Sequence, residues 1–320
     1  MAGKADNDSS RLDDAARAGW LYYIAGNTQD EIARKLGVSR QSAQRLVSLA
    51  MSEKLIKFRL DHPIAYCMEL ASRLKERYGL QRCEVVPSDP DAPNSITGVA
   101  QAGAAMMERE LKASQPRIFA YGTGRTLRAC AEQLSPMDCP QHRIVSMLGN
   151  MSSDGSASAY NVIIQLADKV HARHYPMPLP VFATSREELE LLHGQQAVRN
   201  ILDLCRHADI TFVGIGNIGR NSPLYIDGFA TGEEVDALVE AGSIGEILSW
   251  AYDAEGRLIE GLTNSLVASA PIGPNPKNQV IGIAAGEAKV EAIRAALNGR
   301  YLTGLITNEI TSEGLLRPSN

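Results

Sequence analysis

Residues 28–49, TQDEIARKLGVSRQSAQRLVSL, constrain this chain more than any other stretch, because two short helices must be joined there by one tight turn. Thr28 followed three residues later by Glu31 forms a capping box that starts one helix, running from about Gln29 to Leu36. Gly37 ends it, since the left-handed backbone conformation is cheap only for glycine. Ser39 then stands where the N-cap of a second helix belongs. Helices joined so closely cross steeply, which defines a helix-turn-helix. Ile32, Leu36, Val38, Ala43 and Leu46 fall on the inward side, and Ala33 is small where the two helices touch. Ser39, Arg40, Gln41, Ser42, Gln44 and Arg45 are left on the outer face of the second helix. That set can hold phosphates and read base edges, Arg being suited to guanine and Gln to adenine. An ordinary helical hairpin with a solvated face would share the periodicity, but not the joint agreement of cap, glycine and small-residue positions.

The flanks extend this reading. Residues 12–25 carry Ala16, Trp20, Tyr23 and Ile24 at helical spacing and predict a supporting helix ended near Gly26 and Asn27. Residues 55–60 predict a short strand, the wing of a winged motif. The chain as a whole is acidic at −5, yet residues 11–60 hold nine Lys or Arg against five Asp or Glu, and residues 61–320 sum to −8. A basic small domain on an acidic large one is a DNA-binding footprint. It speaks against a structural nucleoid protein, which would be basic throughout.

A chain of 320 residues exceeds one comfortable core and predicts two domains, residues 1–60 and residues 61–320. Residues 63–78 form an amphipathic helix, so residues 61–80 serve as a helical linker or dimer contact, or pack on their own domain. No apolar run approaches the length of a membrane span and the first ten residues lack a signal-peptide core, which predicts a cytoplasmic protein with no membrane partner. The five cysteines, Cys67, Cys83, Cys130, Cys139 and Cys205, are scattered without a Cys-x-x-Cys pair and read as reduced thiols. His171 and His174 lack a third ligand nearby, and Pro176, Pro178 and Pro180 put the following segment in an extended loop, so no metal site is expected. Nothing calls for a cofactor.

Beyond a surface loop at residues 87–94, strand and helix patterns alternate, which implies a largely parallel sheet with helices on both faces. Four strand ends are informative. Residues 117–121 run into Gly122, Thr123, Gly124, Arg125 and Thr126 and then a helix over about 126–134. A strand, a glycine-rich turn and a helix N-terminus make an anion site. Residues 144–148 end at Gly149 and Asn150. Residues 280–285 end at Gly286, with Lys289 in the first turn of the next helix, where a cation shares an anionic ligand with the backbone. Residues 210–213 end in Gly214, Gly216 and Gly219, which spell the dinucleotide fingerprint. Residues 220–224 do not open the helix that fingerprint requires, so this is a close-packed strand end lining a pocket.

These motifs, TQDEIARKLGVSRQSAQRLV, FAYGTGRTL, ADITFVGIGNIG, GSIGEILSWAYDAEGRLI, VIGIAAGEAKVEAIRAAL and LITNEIT, resemble the SorC (SorC/DeoR) family of bacterial sugar-responsive transcriptional regulators from Arg11 onward. The resemblance implies a small winged helix-turn-helix domain followed by a Rossmann-like α/β effector domain similar to sugar-phosphate isomerases and deaminases. It also implies a phosphorylated sugar or polyol bound at the strand ends, a homodimer or homotetramer on operator DNA, and control of a carbohydrate or polyol catabolic operon. Carried over residue by residue, Gly122, Thr123, Gly124, Arg125, Thr126 and Lys289 would hold the phosphate. Gly149 would border the ligand, and Glu246 would meet its hydroxyls. Asp253 is either a second carboxylate or a turn former. The chain departs from its relatives at Thr123, where many have an aromatic residue, at Gly149-Asn150 in place of Gly-Gly, and at Thr307-Asn308-Glu309. The competing reading, a sugar-phosphate isomerase or deaminase with an accessory DNA-binding domain, needs an acid and a base on the sugar carbons. Glu246 could serve as one, but no second group sits in a motif beside it.

Overall fold

A computed structural model describes residues 2–53, 55–56, 62, 64–151 and 162–318. The chain divides into two compact units, Met1–His62 and Pro63–Asn320.

In the first unit α1 (Ala2–Tyr23) supports α2 (Gln29–Leu36) and α3 (Arg40–Ser52). The capping box forms: the Thr28 side chain accepts the Glu31 N–H, and the Glu31 carboxylate accepts the Thr28 N–H at 2.8 Å. Gly37 takes φ 66, and the Ser39 hydroxyl accepts the Ser42 N–H. Ala18, Ile32, Ala33, Ala43 and Val47 form the core, with Leu21, Leu36, Val38 and Leu46 against it. The large apolar residues expected to support the motif from α1 face the other way: Trp20 is 55% exposed and Ile24 64%. The buried stripe is instead Ala15, Ala18 and Gly19, and a methyl on Gly19 would come within 2.8 Å of the Ala50 side chain. Separation between helices is set by the side chains at the contact, so a close approach of α1 to α3 selects small residues over bulky ones. The wing strand expected over residues 55–60 lies largely outside the described residues.

The second unit is a seven-stranded parallel sheet, made by β1 (Arg82–Val86), β2 (Ile118–Tyr121), β3 (Arg143–Met151), β4 (Arg173–Pro180), β5 (Ile210–Val213), β9 (Gln279–Ile283) and β10 (Gly304–Asn308) in the order β1-β10-β9-β5-β2-β3-β4. A three-stranded antiparallel sheet adds β6 (Gly216–Asn217), β7 (Gly245–Ile247) and β8 (Trp250–Tyr252). Successive strand residues alternate between two apolar layers. Phe119, Tyr121, Phe212 and Ile283 pack with Met107, Leu127 and Leu166 from α5 (Thr97–Leu111), α6 (Arg125–Gln133) and α7 (Val162–Val170). Ala120, Val145, Val213 and Leu305 pack on the opposite face. Their partners are Leu70, Leu202, Ile293 and Leu315 from α4 (Ala65–Tyr78), α9 (Gln196–Arg206), α12 (Val290–Asn298) and α13 (Glu309–Leu316). The helices α8 (Arg186–Gly194), α10 (Pro223–Ile226) and α11 (Gly232–Glu240) complete the unit. This is a doubly wound, Rossmann-like fold, in which strands buried on both faces read as near-continuous apolar runs.

One expectation changes, and one left open is narrowed. The proline-rich segment after His174 is not a loop but the edge strand β4, with Pro176 and Pro178 exposed between buried Met177 and Leu179. Prolines are tolerated on an edge because one side of the strand has no ladder partner to bond. The helix over residues 65–78 packs on its own unit, burying Cys67, Leu70 and Leu74.

One buried carboxylate pins this layer: Glu110 on α5 accepts from Arg82 on β1 and from Arg117 ahead of β2. Burial pushes its carboxyl up, but the two guanidinium groups outweigh this and hold it below the usual carboxylate range. The ionised form is thus bound more tightly in the folded state, and its contribution is present above the unfolded pKa and lost as pH falls through the folded one. Glu110→Gln should cost about 2 kcal/mol at pH 7, toward the low side for charged hydrogen bonds because both arginines are part exposed. The deficit should shrink below about pH 4, the ordinary glutamate range. Urea unfolding at pH 7 and pH 3.5 checks this, and an equal deficit at both would show that the pair is not the source.

Candidate functional site

Neighbouring strands β2 and β5 send their chains in opposite directions, β2 outward to β3 and β5 to β9. The crevice beyond the carboxyl ends of such a pair is where open α/β sheets bind ligands. A cavity of about 490 Å³ lies there. Its wall takes Thr123, Gly124, Arg125 and Thr126 after β2, Gly214 to Asn217 after β5, and Ala285, Gly286, Ala288 and Lys289 after β9. The hairpin between β7 and β8 closes it with Glu246, Leu248 and Ser249.

Each wall segment has a local cause. At the start of α6 the N-cap is Gly124, with φ 108 and no capping side chain. The end of the helix that favours negative charge borders the cavity, and its N-cap residue brings no side-chain acceptor of its own. Lys289 ends a 3-10 turn, Glu287–Lys289, that leads into α12, and its Nζ donates to the Ile215 carbonyl at 2.8 Å. Burial pulls its pKa below the usual lysine value, Glu246 partly restores it, and Arg125 lowers it again. Glu246 shows the converse: burial raises it, while the Ser249 N–H, 2.8 Å away, and Lys289 pull it down.

The hairpin that carries Glu246 turns through Leu248 at φ 55 and Ser249 at φ 68. Both central residues of a two-residue turn are then left-handed, a geometry that ordinarily selects Asn-Gly. Such outliers persist where the surroundings over-determine them and cluster at functional sites. Across the small sheet Gly216 pairs with Glu246, and a methyl on Gly216 would overlap the Glu246 carboxylate. That explains the second glycine of the Gly214-x-Gly216 pattern without a dinucleotide. Gly216→Ala should swing the Glu246 side chain out of the cavity and weaken a hydroxyl-bearing ligand about tenfold, one charge-assisted hydrogen bond. Melting should fall by a few degrees, since the carboxylate that yields is the acceptor of the buried Ser249 N–H. An unaltered ligand titration alongside that fall would mean that Glu246 does not meet the ligand.

Thr123, Gly124, Arg125, Thr126, Glu246 and Lys289 share this one wall. Gly122 lies just behind it, its N–H donating to the Phe212 carbonyl at 2.8 Å. Gly149 is not in the wall. It pairs with Met177 of β4, and a methyl there would overlap the Leu179 carbonyl, so close strand packing accounts for the glycine. Asp253 accepts from the Glu255 and Arg257 N–H groups and from Arg257 Nε, as a turn former does. Asn94, Asn217, Asn221, Asp227 and Ser249 also line the cavity. Asn217 and Asn221 stand beside a glycine-rich strand end and carried a signal in the sequence. Asn94, in a segment with the composition of a surface loop, and Asp227 carried none. Among the described residues no cluster of His, Cys, Asp and Glu is arranged to hold a metal.

In the first unit Arg40, Gln41, Gln44 and Arg45 are exposed on α3. The Ser39 and Ser42 hydroxyls lie 2.9 Å apart at the cap, and Arg40 Nε is 3.4 Å from Asp30. Gln41, Gln44 and Arg45 are the long polar side chains of this face outside those contacts.

A helix-turn-helix unit followed by a doubly wound sheet with a cavity at its strand ends fits the class of transcriptional regulators that carry a ligand-binding domain. Residues 62–317 match the family model described as "Putative sugar-binding domain", and the chain belongs to that family, the SorC group of transcriptional regulators. It is 32% identical to the erythritol catabolism regulatory protein EryD of Brucella abortus, covering 99% of each chain. It is 30% identical to the transcriptional regulator LsrR of Klebsiella pneumoniae, covering 94% of this chain and 92% of that one. The full-length sorbitol operon regulator SorC from Klebsiella pneumoniae superposes with TM-score 0.68 at 25% identity, over 96% of this chain and 99% of that one. Among the described residues no helix is long and apolar enough to cross a membrane.

Proposed function

We propose that the protein binds double-stranded operator DNA through α3 as a homodimer or homotetramer, and that a phosphorylated sugar or polyol in the strand-end cavity shifts its DNA affinity. The observation that carries the ligand class is that the α6 start, Arg125 and Lys289 line the same cavity as Glu246. Cations with a helix N-terminus suit a phosphate, and a carboxylate suits hydroxyls. The relative named for erythritol catabolism puts four-carbon polyols and their phosphates first among candidates. The cavity binds and reports rather than turning its ligand over, and it acts in the cytoplasm.

The test is a thermal-shift series on the full chain with erythritol, erythritol phosphates, longer polyol and sugar phosphates, and inorganic phosphate. A ligand that binds only the folded protein stabilises by mass action, so a hundredfold excess over Kd should raise the melting temperature roughly 5–10 °C. Stabilisation by free polyols and not by their phosphates would remove the phosphate from this reading. Stabilisation by none of them would remove the effector class. Product formed from the stabilising compound would restore the isomerase reading.

A further inference from the structure

The cavity wall at Gly286 is fastened from behind. The Gly286 N–H donates at 2.9 Å to the hydroxyl of Thr311, a fully buried residue of α13 that is no part of the wall. Buried Arg294 of α12 ties the far end of the same helix, donating to the Gly314 carbonyl at 2.7 Å and the Leu315 carbonyl at 2.9 Å. On its other side α13 holds α4. The Tyr66 hydroxyl donates to the Glu313 carboxylate at 2.8 Å, and the Tyr78 hydroxyl donates to the Leu315 carbonyl at 3.0 Å. In sequence α4 is the first helix after the unit that ends at His62.

We propose that Thr311 is a positioning residue for the Gly286–Lys289 turn, and that α13 carries a displacement of this turn to α4, the helix through which the cavity-bearing unit joins the DNA-binding one. This rests on the cavity being the effector site. The physical reason is that a buried N–H must keep its one partner. An anion that draws the turn toward the α6 start must therefore draw Thr311 with it or leave the Gly286 N–H unpaired. Packed elements shift as bodies rather than deforming smoothly. A movement of α13 thus falls on the hydroxyls and carbonyls that hold Tyr66 and Tyr78.

Amide hydrogen exchange of the full chain tests this with inorganic phosphate as the anion and three proteins: parent, Thr311→Val and Thr311→Ser. In the parent, phosphate should slow exchange at residues 124–127 and 286–289. It should also change exchange across residues 65–78 by about fivefold, the low end of usual coupling. Thr311→Val should keep the first response and lose the second, and Thr311→Ser, which retains the hydroxyl, should regain it. A response over residues 65–78 that survives Thr311→Val, or one absent from the parent while the turn responds, overturns the proposal. If phosphate leaves both turns untouched, the anion site itself fails. The coupling is then decided without any ligand. Lys289→Ala releases the turn from the Ile215 carbonyl and should alter exchange over residues 65–78 by about fivefold alone, but not alongside Thr311→Val. No change from Lys289→Ala alone overturns the coupling.

Discussion

Lys289→Ala should raise the effector concentration needed for a given change in operator binding by roughly ten- to a hundredfold. The figure follows from charge-assisted hydrogen bonds at roughly 1.5–3 kcal/mol each and 1.4 kcal/mol per decade of affinity. The lysine suits the role because its stem is largely buried and its ammonium is held between the Ile215 carbonyl and the charges of Glu246 and Arg125. A desolvated cation interacts with an anion in a lower dielectric than water and is little screened by salt. Burial, only partly offset by Glu246, holds its pKa below the usual lysine range. Anion affinity in the parent should accordingly fall as pH rises through that depressed value, earlier than for an exposed lysine, and the alanine variant should lack this limb. Operator affinity without effector should change by no more than about fivefold, the coupling proposed through Thr311 and α13, because α3, which reads the operator, belongs to the other unit. Fluorescence anisotropy of labelled operator, titrated with a compound identified by thermal shift, measures both. An unshifted dose-response would place the anion elsewhere. Loss of operator binding in the unliganded variant would mean that Lys289 holds the fold.

Arg45→Ala and Gln41→Ala should each weaken operator binding by roughly 1–3 kcal/mol, the range for a base-reading contact. Both side chains are exposed on α3, while Ala43 and Val47 on its other side are buried against α2 and α1. Truncating either outward residue therefore removes no packing, and melting should be unchanged. The two variants separate by salt. A residue that holds a phosphate lowers the slope of log affinity against log salt by about one when removed, whereas a base reader leaves the slope and relaxes specificity at one position. Parent-like titrations for both proteins would remove α3 from the groove.

The helix-turn-helix was legible almost residue by residue, because a cap, a positive-φ glycine and a second cap are local devices that act within one turn of chain. The supporting helix was legible as a helix but not as a face. Trp20, Tyr23 and Ile24 carry the apolar periodicity, yet the contact is made by Ala15, Ala18 and Gly19, since the closeness of α1 to α3 is a property of the pair. Edge strand β4 was hidden for a related reason. Proline at alternate positions opposes a central strand and suits an edge, and nothing in those residues says which they occupy.

For the cavity, the residue types proposed to hold an anion were readable one strand end at a time: Gly124 before a helix, Lys289 after a strand. Their convergence was not, because it depends on the strand order that sets β5 and β9 beside β2. The sequence by itself determined the two-unit plan, the alternating layers and the local turns, all of which follow from hydrophobic period, caps and glycine sterics. Only the tertiary structure decided that Gly149 serves packing, that Asp253 serves a turn, and that Gly216 is bare because the Glu246 carboxylate lies on it. A glycine's cause lies in whatever atom occupies the space its missing side chain leaves, and here that atom belongs to a residue thirty positions away, brought across by β-sheet pairing.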